Sequence, residues 1–426
     1  MSNHNKKEYS KEYIIKKKKD KFKIRYLTIE DLDDFNNLLR YAFQVSNNEL
    51  INLGYEADEI KQAKSAVLSK AKVLGWFDGE KLASQIAVYP MKMNIHGVIY
   101  KMAGITGVAT YPEYSNLGLM NDLMIKSIEN MKKEGQTISV LYPYSIPFYR
   151  RKGWEIISDK MSFDIKDTQL PKTITNKGRV ERVSTDSEEL KELYNKFSHI
   201  RHGALIRGDL EWEEYWRWDV DDTIVAIYYD EKDEAKGFLV YVIENDIFHI
   251  KELVYLDYDA RLGLWNYISA HFSMVDKVHG YNYTNEPMAF LLEDSEIKET
   301  IRPYIMARIT DVKAFINNYP FLRKPKNKKI NLIIKDNMAK WNNGSFLIYW
   351  DEDRNIVCKR LNKEYKRNGK DRYIIKMNIQ TLTTMLMSYK SPSYLYKIGR
   401  IEASVKGINL LESIIPKEQA YFSDYF

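Results

Sequence analysis

The sequence predicts a mixed α+β chain built in three parts, and three observations predict it. The first third alternates strand, helix, three antiparallel-looking strands, loop, helix and strand. The second third repeats that grammar in blurred form. A basic stretch, Arg323 to Lys329, then sets off a last third of short strands and a helix. The chain has 426 residues, enough for roughly three domains of about 150 residues, and its 44% apolar content supplies real cores.

Phe22 to Leu27 reads as a strand, and Thr28 with Asp31 as a helix-opening capping box. Ile29, Leu32, Phe35, Leu38, Leu39 and Phe43 recur at helical spacing, so an amphipathic helix follows. A second helical stretch covers residues 55–71. Lys72 to Phe77, Leu82 to Asn94 and Val98 to Tyr111 are strand-like, turned at Asp78-Gly79 and His96-Gly97. Glu113 to Gly118 is a loop. Leu119 to Glu134 is a helix with Leu119, Met120, Leu123, Met124, Ile128 and Met131 on one side. Gly135 ends it, and Thr137 to Tyr142 is the next strand, before a short helix.

In the second third, Thr185 to Phe197 is a helix, and Thr223 to Tyr229, Gly237 to Ile243 and His249 to Leu256 are strands. Asp259-Ala-Arg-Leu-Gly263-Leu-Trp then opens a helix and aligns with Tyr114-Ser-Asn-Leu-Gly118-Leu-Met, an internal repeat of a loop entering a helix. In the last third, Asn331 to Lys335, Ser345 to Trp350, Asn355 to Leu361 and Tyr373 to Asn378 read as a meander, followed by a helix from Ile379 to Ser388. The chain closes on Tyr421-Phe-Ser-Asp-Tyr-Phe426, and an aromatic terminus is expected to be docked rather than frayed.

Composition removes several function classes. No run reaches the ~18 apolar residues of a membrane span, and the lysine-rich amino terminus lacks the apolar segment of a signal peptide, so a cytoplasmic protein is expected. A single cysteine, Cys358, excludes an intramolecular disulfide framework and a thiolate-rich metal site, and is expected in a core. Residues 1–25 hold ten basic and three acidic side chains, net +7, which leaves −1 for the rest of a chain whose total is +6. Residues 1–21 are therefore expected to be a solvated basic leader, and a near-neutral body argues against nucleic-acid binding. The seven histidines form no HExxH and no ligand spacing with carboxylates, so no catalytic metal is expected. GxSxG, GxxxxGK[ST] and GxGxxG are absent, which removes serine hydrolase, nucleotide triphosphatase and dinucleotide-binding readings.

What remains is the strand Ile105-Thr-Gly-Val108-Ala-Thr110, a loop ending in Gly118, and a helix starting at once. Backbone N–H groups of such a loop and of a helix's first turn suit a pyrophosphate, and Gly118 lets it approach the backbone. About thirty residues on stands Phe148-Tyr149-Arg150-Arg151-Lys152-Gly153-Trp154. Together these segments resemble the GNAT superfamily of N-acetyltransferases, with its acetyl-coenzyme A loop and its F-Y-x-x-x-G-[FWY] segment. More closely, the chain resembles the enhanced intracellular survival (Eis) family of aminoglycoside acetyltransferases. That resemblance rests on Ala103-Gly-Ile-Thr-Gly-Val108, on Phe148-Tyr149 through Gly153-Trp154 and on the terminal Ser423-Asp-Tyr-Phe426, and it covers residues 22–426.

The resemblance implies two tandem GNAT folds, a catalytic one over residues 22–165 and a degenerate one over 166–322, followed by a sterol-carrier-like α+β domain over 323–426. It implies Val108 and Thr110 against the pantetheine arm of acetyl-coenzyme A, Ser115, Asn116 and Gly118 around its pyrophosphate, Tyr149 as general acid, and the main-chain carboxylate of Phe426 as general base. It implies a homo-hexamer. One departure stands out: the family's loop has Arg or Gln before Gly-x-Gly or Gly-x-Ala, whereas Ser115-Asn116-Leu117-Gly118 brings no guanidinium to the phosphates, a place that basic residues elsewhere could fill.

The chemistry is sensible on its own terms. A phenol with an ordinary pKa near ~10 can protonate a departing thiolate. A terminal carboxylate near ~3.5 can hold a cationic amine and pass its proton to water. Glu49 and Asp424 are candidate anchors for a polycationic acceptor, and Trp212-Glu-Glu-Tyr-Trp-Arg-Trp218 reads as a packing surface. The expected activity is acetyl transfer from acetyl-coenzyme A to an amine of a small polycation such as an aminoglycoside, by direct attack in a ternary complex. The rival is an inactive scaffold whose last domain holds a lipid or a protein partner.

Overall fold

The structure is a computed structural model that describes residues 20–44, 68–217, 222–283, 287–362 and 372–426. Glu49, most of the 55–71 stretch, residues 1–19 of the leader and Trp218 lie outside these residues.

In the first part, β1 (Phe22–Tyr26), α1 (Leu32–Phe43), β2 (Lys72–Asp78), β3 (Lys81–Ile95) and β4 (Val98–Thr110) come first. Then follow α2 (Leu119–Lys133), β5 (Ile138–Leu141), α3 (Ile146–Arg151) and β6 (Glu155–Lys166). Acidic Asp33 and Asp34 in the first turn of α1 and Lys132 and Lys133 in the last turn of α2 match the helix dipoles. Of the apolar stripe read from the sequence, Leu119, Leu123, Met124, Ile128 and Met131 of α2 are buried, the last four in one core with the sheet, and Met120 is half-buried against that core. β6 had no counterpart in the sequence reading.

The second part holds β7 (Arg179–Val183), α4 (Glu188–Ile200), α5 (Asp209–Trp216), β8 (Ile224–Tyr229), β9 (Ala235–Glu244), β10 (Ile247–Tyr255), α6 (Tyr258–Ser269), β11 (Lys277–Asn282) and β12 (Lys298–Ile309). Both parts share one twelve-stranded sheet, in the order β1-β2-β3-β4-β5-β12-β6-β11-β10-β9-β8-β7. The halves exchange strands. β12 sits antiparallel between β5 and β6, and β6 sits between β12 and β11. Each half is thus completed by the last strand of the other.

The third part comprises α7 (Val312–Asn317), β13 (Lys329–Lys335), β14 (Gly344–Trp350), β15 (Ile356–Leu361), β16 (Arg372–Asn378), α8 (Ile379–Leu386), α9 (Pro392–Lys397), β17 (Glu402–Ala403) and α10 (Val405–Ile414). Its sheet runs β15-β14-β13-β16-β17. The expected meander holds for β13, β14 and β15 but not for β16, which returns beside β13 in parallel. α10 packs on β16, and α9 packs on α8 and α10. Cys358 on β15 is buried as expected, and burial pushes its thiol up to about 12.

The repeat between Tyr114–Met120 and Asp259–Trp265 is corrected in register. Gly118 is the residue that caps α2, whereas Gly263 lies well inside α6 and packs on the Tyr228 ring, where a Cβ would come within 2.3 Å. Identical Leu-Gly-Leu triplets mark different places in the two folds.

Candidate active site

β4 pairs in parallel with β5 only over Met102–Gly104 against Ile138–Val140. Beyond Gly104, the edge of β4 from Ile105 to Thr110 has no strand beside it among the described residues. A bulge in the ladder with β3 follows: Gly107 and Val108 together oppose Ile86, with Gly107 in the left-handed region at φ 59°. Such an edge offers backbone N–H and C=O groups along which an amide-bearing chain can dock as an added strand. Val108 is half-buried on this edge, and the Thr110 hydroxyl shares a 2.6 Å hydrogen bond with the Ser84 hydroxyl.

The loop after β4 makes one 3-10 turn at Pro112–Tyr114 and then bends through Asn116 at φ 63° and Gly118 at φ 73°. Gly118 leads straight into α2, so the open N–H groups of that helix's first turn point toward the loop. A cation stands at this helix start, brought there from the end of α3. The Lys152 ammonium donates to Asn121 Oδ1 in the first turn of α2, and burial together with Arg151 lowers its pKa. Lys152 was part of the quoted segment but had no assigned role; its approach to α2 is a tertiary contact without a sequence signal.

Tyr149 lies on α3 and is buried, its ring edge-on to Phe148 and Trp154. Burial alone pushes its hydroxyl up to about 12. The third domain holds α3 and the start of β6 in place: Gln380 Nε2 donates to the Arg150 carbonyl, and Arg400 Nη2 to Glu155 Oε2 at 2.7 Å. Arg150 meets the other oxygen of Glu155, also at 2.7 Å.

The terminal segment does dock. Phe422 is fully buried, Tyr425 packs edge-on to Tyr142, and the Phe426 ring lies edge-on to Tyr89 and against Gly104. A Cβ on Gly104 would come within 2.8 Å of that ring. Tyr149 packs with Ala103 and Ile105 on one face of the sheet, while Phe426 packs with Tyr89 and Met91 on the other. The parting of β4 from β5 lies between them.

Asp424 is 4% exposed, so it is not offered to an acceptor at the surface. Arg207, fully buried, donates to Asp424 Oδ1 at 2.7 Å and to both oxygens of Glu252 at 3.0 and 3.1 Å. Ser423 donates to Glu252 at 2.6 Å, and Tyr304 to the Asp424 carbonyl at 2.9 Å. Burial raises the Asp424 carboxyl to about 6, with Arg207 opposing. The residue is the peg of a clamp. Sequence reading missed Arg207, Glu252, Tyr304 and Tyr89, which are far apart in the chain. It also missed Glu214 of α5, which accepts from the Tyr89 hydroxyl at 2.7 Å.

Among the described residues no group of three or more His, Cys, Asp or Glu is placed to hold a metal ion, and no helix is long and apolar enough to cross a membrane.

Comparison with known proteins agrees with this fold. Residues 23–157 and 203–309 match acetyltransferase (GNAT) domain families, and residues 312–423 match the sterol carrier protein domain. The probable N-acyltransferase of Enterococcus faecalis V583 is 27% identical, with 95% of this chain and 99% of that one covered and a TM-score of 0.83. A GCN5-related N-acetyltransferase from Anabaena variabilis is 22% identical over 95% and 100% of the two chains, at TM-score 0.80. Eis1 from Mycobacterium abscessus, 16% identical over 95% and 100%, superposes at 0.77 and shares the fold. No curated protein matches the sequence. Two GNAT acetyltransferase domains followed by a sterol carrier protein domain therefore make up this chain, and it is an acyltransferase.

Proposed function

We propose that the protein moves an acetyl group from acetyl-coenzyme A to an amine of a small polycation, such as an aminoglycoside, in one ternary complex. The observation that carries this reading is the terminal segment, which brings Phe426 to Gly104 at the parting of β4 and β5. When bound, acetyl-coenzyme A supplies an acyl carbon open to attack by an amine. The edge of β4 from Ile105 to Thr110, Val108 included, would hold its pantetheine arm. Ser115, Asn116, Gly118, the first turn of α2 and Lys152 would hold its phosphates.

Tyr149 holds its proton across the working pH range and can give it to the departing sulfur at its Oη. The main-chain carboxylate of Phe426 holds the cationic amine and passes its proton on to a water. The body of the chain, at −1, does not repel such an acceptor. The same reading takes the protein as a cytoplasmic homo-hexamer, an assembly that light scattering in solution tests directly.

The decisive experiment measures thiol release from acetyl-coenzyme A with an aminoglycoside, a linear polyamine and a simple monoamine as acceptors. Faster turnover with the multiply charged amines is expected. Turnover confined to the monoamine would sink the proposed acceptor class.

A further inference from the structure

The second domain keeps a cleft of its own. β10 pairs in parallel with β11 only over Ile247–Ile250 against Lys277–Gly280, and then Lys251 bulges from its ladder with β9. This repeats the parting of β4 from β5. Beside it lies a cavity of about 270 Å³, walled by Leu253 of β10, Trp265 of α6, Phe197 of α4 and Tyr283, and bordered by Tyr421 of the terminal segment. Gly104, Tyr149 and Phe426 do not border it.

Coenzyme A does not suit this cleft. α6 opens on Asp257, whose carboxylate already accepts the Ala260 N–H at 2.9 Å, and Asp259 adds a second negative charge in the first turn. A helix start filled by carboxylates repels a pyrophosphate. The aromatic walls call for an apolar body, and two guanidinium groups, Arg201 and Arg261, line the cavity. Arg261 has no hydrogen-bond or ion-pair partner for its side chain among the described residues. Arg201 reaches Glu418 at 3.5 Å through Nη1, but its buried Nε has no acceptor among the described residues. A buried donor without an acceptor is a cost that a bound anion removes.

We propose that this cleft binds a small amphipathic anion, an aromatic or acyl carboxylate, at a site separate from the acyl-donor cleft of the first domain. The planar guanidinium groups would take the carboxylate and the rings its apolar body.

Calorimetric titration of the full chain with 2-naphthoate tests this, with neutral 2-naphthalenemethanol as control and a repeat under saturating acetyl-coenzyme A. Naphthoate is expected to bind at one site, unaffected by acetyl-coenzyme A and at least about tenfold more tightly than the neutral analogue. Arg261→Gln and Arg201→Gln should each weaken it about tenfold or more. Leu291, 42% exposed at the cavity wall, gives a variant with little risk to folding, and Leu291→Glu should weaken naphthoate as well. Thermal unfolding confirms that each variant is folded. Absence of binding, displacement by acetyl-coenzyme A, equal affinity for the neutral analogue, or indifference to all three substitutions in folded protein would each overturn the proposal.

Discussion

Tyr149 and Gly104 carry single-residue predictions. With its hydroxyl pushed up to about 12 by burial, Tyr149 stays protonated well beyond neutral pH. Tyr149→Phe should lower kcat by about 10²–10⁴-fold, with acetyl-coenzyme A affinity by calorimetry nearly unchanged. The wild-type kcat profile should also lack a falling limb from Tyr149 up to about pH 10. Unchanged turnover would return Tyr149 to packing against Phe148 and Trp154. Gly104 is the second case, because the space its missing Cβ leaves is filled by the Phe426 ring and by Met91 Sδ at 2.9 Å. Gly104→Ala should push that ring aside at the end of the chain, cutting kcat while costing about 1–3 kcal/mol of stability or less. Equal kcat in a variant with wild-type Tm would show that the position of Phe426 does not matter to turnover.

The element that decides the proposed mechanism is the terminal segment, Ala420 to Phe426. It starts in the third domain, is pinned to the second by Arg207, Glu252 and Tyr304, and ends against the first. Pinning matters because the proposed base is a group that exists only where the chain stops. Each added residue moves that carboxylate by about 3.3 Å, and about 1 Å of misplacement can cost around a hundredfold in rate. A tag fused after Phe426 should leave folding and acetyl-coenzyme A binding intact and abolish most turnover, as should deletion of Phe426. The same tag on the amino terminus should be harmless. If both tagged proteins turn over equally, the carboxylate is not the base.

At the scale of the molecule, strand exchange makes the domains interdependent. A chain ending at residue 165 lacks β12, so β5 and β6 are left with open edges in the middle of what should be one sheet. Such a protein should aggregate or fail to unfold cooperatively. A soluble fragment with a sharp thermal transition would contradict this. A histidine pair, His202 buried and His96 half-buried, ties the three parts together as well. His96 and His202 stack at 3.5 Å, His202 Nδ1 accepts the His96 N–H, and His202 Nε2 donates to the Met387 carbonyl. Burial lowers His96 to about 4 and His202 well below its ordinary value. The unfolded chain, near ~6.5, binds protons that the folded state refuses, so stability is lost as pH falls from about 6.5 toward about 4. Thermal unfolding of His96→Asn beside wild type should show a shallower fall in Tm across that window. Parallel curves would remove the pair as its source.

Sequence by itself determined the local structure and the motif residues. Period and turn chemistry marked β1 to β5, α2 and the first three strands of the last domain, because each of those buries one face and repeats at its own spacing. Phe148 to Trp154 and the aromatic terminus were legible because they are contiguous. The second-domain strands β11 and β12, like β6, passed unread. Tertiary structure alone decided that β12 enters the other half's sheet, that Gly263 is a packing residue, and that Asp424 is buried under Arg207. It also brought Lys152 to the start of α2. These are pairings between residues tens to hundreds of positions apart, whose energy comes from burial and charge meeting in space, and a linear pattern carries no trace of them.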